Sequence, residues 1–174
     1  LVQQTGIIKT VSGSTVEICG YDSIIREYTL SASSKTFVNS TAGTLSSTYV
    51  GCAVTVTAKN NTVVNLSITN DSTVKWVQGI YTSISSISSG ITLSIKSMQT
   101  DVVMNYTVPT ASKVTQDGTT AAITAIKTGS FVSIKTVSNV VTEVRAITGD
   151  RTLSGTVSLI SYGTTVTLKI TDSN

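Results

Sequence analysis

The fold of this chain is indicated by one stretch, Thr5-Gly6-Ile7-Ile8-Lys9-Thr10-Val11-Ser12. A version of this stretch occurs three times. It resembles Gln78-Gly79-Ile80-Tyr81-Thr82-Ser83-Ile84-Ser85, and both resemble Ser154-Gly155-Thr156-Val157-Ser158-Leu159-Ile160-Ser161. Each copy opens near a glycine and then alternates apolar with polar residues, which is the period-two pattern of a half-buried strand. The segment therefore predicts β-strands within an internal repeat.

Further matches set the length of the repeat. Tyr28-Thr29-Leu30 returns as Tyr106-Thr107-Val108, and Gly51 returns as Gly129, at a constant offset of about 78 positions. The hairpin of the second copy is longer. The predicted domains are a first repeat over residues 1–70, a second repeat over residues 74–149, and a partial third repeat, a β-hairpin, over residues 151–174.

The composition predicts an all-β fold. Hydrophobic residues make up 40% of the chain but aromatic residues only 5%, and most of the apolar residues are Val and Ile, which suit a pleated sheet. Five or six short strands in about seventy residues bury an apolar face only by curling, so we predict tandem small β-barrels, or tight β-sandwiches. A single helical turn is predicted before each glycine of the pair Gly51 and Gly129.

The partial third repeat is predicted to be an assembly hairpin. An isolated hairpin is marginal in water, so we expect its strands to need a partner outside their own repeat. That partner is the second repeat, the next repeat of a longer chain, or a second copy, and we expect both ends of the sequence to be cut from an array. The apolar residues assigned to this contact are Leu153, Val157, Leu159, Val166, Leu168 and Ile170.

The two cysteines, Cys19 and Cys52, are predicted to form a disulfide. Two thiols without histidine are too few for a tetrahedral metal site, and an exported protein permits oxidation. Two alternatives stay open at this point, which are a pair of free thiols and a disulfide between subunits.

The single tryptophan, Trp76, lies between the first two repeats and is followed by Val77. Large aromatic side chains dominate the energetics of packing, so we expect these two residues to pack one repeat against the next. The alternative is that Trp76 contacts another molecule or a sugar.

The sequence offers no constellation for catalysis. The absence of histidine removes Ser-His-Asp and Cys-His chemistry, and the nine carboxylates are dispersed along the chain. We predict no enzyme, no metal site and no cofactor. Calcium is a weak alternative at the aspartates near the repeat junctions, which a turn explains better. Those aspartates are Asp71, Asp150 and Asp172.

The net charge of +3 is scattered from Lys9 to Lys169 and forms no stripe for nucleic acid. It leaves weak attraction to a cell-wall polysaccharide as an alternative. No apolar run is long enough to span a bilayer. Charged residues reach only 12%, and the abundance of Ser and Thr is typical of secreted structural proteins and adhesins.

The repeat resembles the tandem small β-barrel modules of bacterial cell-surface and surface-layer (S-layer) proteins. The resemblance rests on the glycine-led first strand, the Tyr-Thr-Leu or Tyr-Thr-Val motif, the glycine at 51 or 129, and the closing strands around Asn60-Asn61. It covers nearly the whole chain, although Cys19 and Cys52 depart from the pattern. The resemblance implies a secreted structural module that self-assembles with copies of itself into a surface layer or filament. The alternative is an adhesin or carbohydrate-binding module.

Overall fold

The computed structural model describes residues 1–87, 90–149, 155–162 and 166–172, and it confirms the all-β prediction. Two single 3-10 turns, Ser47–Tyr49 and Ile123–Ala125, are the helical elements of these residues, and they fall where the sequence predicts helical turns. The strands of the first sheet are β1 (Val2–Ser12), β2 (Thr15–Gly20), β3 (Ile25–Thr29), β4 (Lys35–Val38), β5 (Thr41–Ala42), β6 (Ala53–Lys59) and β7 (Thr62–Thr69).

The first sheet curls back on itself. Its strand order is β3-β2-β1-β6-β7-β4-β5, and an additional pairing joins β3 to β7 through Thr29 and Thr62. The backbone N–H of Thr29 also donates to the carbonyl of Asn61 at 2.9 Å. The sheet therefore wraps around an apolar core in a barrel-like manner. That core contains Ile8, Val16, Ile18, Tyr28, Val54, Val56, Ala58, Val63, Leu66 and Ile68.

The second sheet repeats this arrangement. Its strand order, β10-β9-β8-β13-β14-β11-β12, is the first order with each strand moved seven places along the chain. Its own core includes Leu93, Ile95, Ile134 and Val144, all fully buried. The strands are β8 (Val74–Ile87), β9 (Gly90–Ser97), β10 (Val103–Val108), β11 (Lys113–Gln116), β12 (Thr119–Thr120), β13 (Phe131–Val137) and β14 (Val140–Ile147).

Matching side-chain hydrogen bonds hold equivalent turns in the two sheets. Asn39 Oδ1 accepts from the backbone N–H of Asn70 at 2.8 Å. Asp117 Oδ1 accepts from the backbone N–H of Thr148 at 2.9 Å. Because these pairs occupy corresponding positions, the two sheets share local chemistry as well as strand order. The assignment of the chain to two complete repeats and one partial repeat stays a prediction.

Two further strands, β15 (Gly155–Tyr162) and β16 (Val166–Asp172), pair antiparallel as a two-stranded sheet. Among the strands that the structure describes, these two form ladders only with each other. Val157 is 49% exposed, and Leu153 lies outside the described residues. Of the other residues assigned to the assembly hairpin, Leu159 lies on β15 and three lie on β16, namely Val166, Leu168 and Ile170.

A glycine sits at the same point of each central strand, Gly6 in β1 and Gly79 in β8. A Cβ at Gly6 would meet the carbonyl oxygen of Cys19, and one at Gly79 would meet that of Lys96. Just beyond each glycine the register with the neighbouring strand shifts, between Ile8 and Thr10 in β1. Glycine is therefore required because the neighbouring backbone comes too close for a side chain where the sheet bends.

We expect Gly6→Ala to lower the free energy of unfolding by about 2 to 3 kcal/mol, because the new methyl group forces two backbones apart. Chemical denaturation followed by circular dichroism measures the change. The control is Gly13→Asn at the β1–β2 turn, where φ is +56° and no atom lies within 4 Å of an added Cβ. A loss for Gly6→Ala no greater than for this control would contradict the close-approach explanation.

Candidate functional site

A layer of buried residues lies outside both barrel cores. Ile7, Cys19, Trp76 and Phe131 are each at most 6% exposed, yet none belongs to either core cluster. Ile7 is paired directly with Cys19 across β1 and β2, and its chain neighbour Ile8 points into the first core. Since successive side chains of a strand point to opposite faces, Ile7 and Cys19 must face outward from that core. We call these four residues the junction layer.

The junction is fixed by an aromatic–arginine clamp, which comprises Tyr21, Trp76 and Arg145. Tyr21 follows β2 of the first sheet, and its ring meets that of Trp76 edge-on, at 5.5 Å between centroids and 61° between planes. The Arg145 guanidinium carbon lies 4.5 Å from the Tyr21 centroid and 5.0 Å from that of Trp76. Each such contact contributes about 0.5 to 2 kcal/mol beyond burial of area.

The guanidinium of the clamp is held by its own strand. Arg145 Nε donates to Glu143 Oε1 at 2.7 Å, and this hydrogen bond is the main reason why the pKa of Arg145 is raised. Burial raises the pKa of Tyr21 above its usual value of 10.0. At neutral pH the clamp therefore keeps a cation beside an uncharged phenol.

Backbone and amide contacts fix the rotation of one sheet against the other. The backbone N–H of Trp76 donates to the carbonyl of Gly51 at 3.2 Å. Gln78, which is fully buried, donates from Nε2 to the carbonyl of Cys19 at 3.4 Å and to Ser133 Oγ at 3.1 Å. Hydrogen bonds are directional, so these contacts select one orientation where apolar packing alone would allow several.

The two residues predicted to pack the repeats together face opposite ways. Trp76 points across the junction toward Tyr21, whereas Val77 packs against the core of the second sheet. The alternation of side chains along β8 explains the difference. Trp76 therefore contacts the first sheet, and Val77, which is half-buried, packs on the core of the second.

Cys19 and Cys52 are free thiols, so the predicted disulfide within the chain is corrected. Cys19 pairs with Ile7, while the Cys52 carbonyl accepts from the N–H of Ile8 on the other side of β1. The two cysteines therefore flank β1, at a separation of about 10 Å. A disulfide needs Cα atoms within about 7 Å and converging Cβ vectors, and the intervening strand prevents both.

A groove of about 300 Å³ opens beside the clamp and is lined by residues of both sheets. Cys52 lies in it, with its thiol 3.6 Å from Asn70 Oδ1, and Trp76 forms part of its wall. Met104, which is 36% exposed, stands at the side that belongs to the second sheet. The groove is thus a mostly apolar cleft between the two sheets.

Asp71 stabilises the turn between β7 and β8. It is fully exposed, and its carboxylate accepts from the backbone N–H and the hydroxyl of Thr73, both at 2.8 Å. These hydrogen bonds lower the pKa of Asp71. Asp172 ends β16, and Asp150 lies outside the described residues. Across the described ranges, no three carboxylate, thiol or imidazole groups come together as metal ligands do.

No protein-family model, curated protein or solved structure matches this chain. None of the helical elements in the described ranges is long and apolar enough to cross a membrane. The fold and the junction therefore define the class on their own: an all-β protein whose two seven-stranded sheets are joined through a partly buried aromatic–arginine clamp.

Tyr21, Gln78, Phe131 and Arg145 were not predicted as site residues from the sequence. A signal for two of them was present, because they replace small residues at matching positions: Arg145 stands where the first sheet has Ser67, and Phe131 where it has Ala53. Bulky or charged residues that replace small ones in a single copy of a repeat are candidates for contacts between copies.

We expect Cys52 to react with iodoacetamide at least about tenfold faster than Cys19 in the native protein. Burial raises the pKa of Cys19 to about 12, whereas Cys52 is partly exposed. Mass spectrometry after timed alkylation at pH 8 measures both rates, and unfolding in guanidinium should make them equal. Recovery of an intact chain two mass units lighter, unreactive until reduced, would reinstate the disulfide.

We expect Trp76→Ala to lower the free energy of unfolding by about 3 to 4 kcal/mol, because it opens a cavity in the junction layer. Val140→Ala is the control, since Val140 is 54% exposed and should change stability by less than about 0.5 kcal/mol. Arg145→Gln should cost about 1 kcal/mol through loss of the cation. Equal losses of stability for Trp76→Ala and Val140→Ala would show that the clamp does not stabilise the junction.

Proposed function

We propose that this chain is a structural module of an extracellular cell-surface array, either a surface layer or a filament. It acts through packing of successive β units against one another and through self-assembly. The observation that carries the proposal is the aromatic–arginine clamp, which joins one sheet to the next through partly buried and oriented contacts. An array needs building blocks of fixed spacing, and a joint of this kind supplies it.

The connection between the sheets also favours a rigid spacing. Only four residues separate β7 from β8, and Asp71 and Thr73 hold this link through side-chain and backbone hydrogen bonds. The backbone N–H of Val74 donates to the carbonyl of Asp71 at 3.1 Å. A short link that is bonded to itself restricts hinge motion between units, unlike a flexible Gly/Ser linker.

The surface chemistry supports an extracellular and non-enzymatic role. Charged residues are only 12% of the chain, which leaves hydroxyl groups to solvate most of the surface. A chain without histidine lacks the common general base, and the described residues bring no group of metal-ligating side chains together. The features that stand out are those of packing and association.

A carbohydrate-binding module is the less favoured proposal. Sugar sites usually present exposed aromatic rings, but every aromatic side chain in residues 1–149 is buried or only partly exposed. Trp76 and Tyr81 are buried, and Tyr21 is engaged by Arg145. The groove beside Trp76 contains amides that could bind a sugar, so a panel of envelope polysaccharides is included in the test below.

Light scattering and negative-stain imaging of the purified chain test the proposal. We expect concentration-dependent ordered sheets or filaments, and small-angle X-ray scattering of the dispersed chain should fit one fixed arrangement of the two sheets. Trp76→Ala should increase the radius of gyration and disorder the assemblies, whereas Val140→Ala should do neither.

Two results would overturn this proposal. One is a wild-type chain that stays monomeric at all concentrations, with and without reductant and calcium. The other is tight, saturable binding of a polysaccharide by the monomer, which would favour the carbohydrate-binding alternative.

A further inference from the structure

The second sheet has an open edge at β10. In the first sheet, the equivalent strand β3 is joined to β7 by one residue pair, Thr29 with Thr62. β10 lies close to β14 but forms no ladder with it, so β9 is its sole ladder partner among the described strands. Thr107 corresponds to Thr29, the β3 residue that pairs with β7, and Val103 lies at the other end of β10. An edge of this kind presents unpaired N–H and C=O groups.

The side chains of this edge favour association. Val102 is 59% exposed, Val103 56% and Met104 36%. The equivalent positions of β3 carry Arg26 and Glu27 where β10 has Met104 and Asn105. Charged residues on an edge strand prevent pairing with another chain, and β10 contains none. The contrast between two otherwise matching sheets indicates that the β10 edge is available for strand addition.

The same chain contains a strand, β16, that lacks a neighbour equivalent to β10 among the described strands. In the two sheets, β2 pairs with β3 on the side away from β1, and β9 pairs with β10 on the side away from β8. β16 corresponds to β2 and β9 in the repeat, but the described residues give it β15 as its only ladder partner. Its free edge is therefore of the type that a β3-like or β10-like strand fills.

We propose that β16 of one copy pairs antiparallel with the open edge of β10 in a second copy. The second sheet of one copy and the β15–β16 hairpin of the other then form one continuous sheet. Its strand order is β8-β9-β10-β16-β15, where the last two strands belong to the second copy. Both unpaired edges are satisfied, and the exposed Val102, Val103 and Met104 gain an apolar neighbour. The inference deepens the proposed function, on which it rests, by naming the surfaces through which copies join.

Disulfide trapping between two differently labelled full-length chains tests this pairing. One chain carries Val103→Cys, and the other carries a single cysteine at each position from 166 to 172 in turn. Both also carry Cys52→Ser, while Cys19 is left because it is only 1% exposed. Val64→Cys replaces Val103→Cys in the control, because Val64 is 39% exposed on β7, which has ladder partners on both sides.

We expect cross-linked dimers only in the mixtures with Val103→Cys, and only at alternate positions of β16, because alternate residues share a face of the sheet. Cross-linking of Val103→Cys with itself would show that two β10 edges pair instead. Equal cross-linking at consecutive positions, or with Val64→Cys, would show random collision. An internal bond at high dilution, with both cysteines in one chain, would show that the hairpin folds onto its own β10. Each of these results overturns the inference.

A charged residue on the β10 edge tests the strand pairing independently of the proposed array function. We expect Val103→Lys to weaken association of the chain by at least about tenfold, as measured by light scattering, and Val64→Lys to change it by less than about twofold. Ordered assemblies that survive Val103→Lys would overturn the edge pairing and leave the array function standing. A wild-type chain that never assembles would overturn both.

Discussion

The structure depends on one strand whose two faces are both covered. In β1, the neighbouring residues Ile7 and Ile8 are fully buried although they point in opposite directions. Ile8 enters the core of its own sheet, and Ile7 enters the junction layer. A curled sheet of about seventy residues can bury only its inner face by itself. The outer face of β1 therefore requires a neighbour, and the second sheet supplies it.

The corresponding outer face of the second sheet, on β8, differs from that of β1 in its exposure. Ile80 occupies the position of Ile7 and is 40% exposed, while Tyr81, at the position of Ile8, is buried. The residues of the clamp are not repeated either: Gln3 stands at the position of Trp76 and Met98 at that of Tyr21. The described junction is therefore specific in its chemistry, and the two sheets are similar in fold but not interchangeable. Such differences specify which face of one sheet packs against the other.

The sequence predicted local structure closely. The closing strands predicted around Asn60-Asn61 are β6 and β7, and both helical turns lie where Gly51 and Gly129 place them. The prediction failed where a contact depends on which strands become neighbours. Cys19 and Cys52 suggested a disulfide by their number alone, but the insertion of β1 between them sets them apart. The position of Trp76 pointed to the junction, while its partners Tyr21 and Arg145, more than fifty positions away on either side, gave no local signal.

The sequence by itself determined the all-β class, the positions of the turns and the pattern that repeats along the chain. These follow from alternation, β-branched residues and glycine, which act over a few residues. Only the tertiary structure decided which faces and edges are covered, that the thiols stay apart, and that the Arg145 cation lies against both aromatic rings at the junction. Those outcomes depend on strand order and on the outward face of a sheet, and a period of two specifies that a face exists without specifying what will cover it.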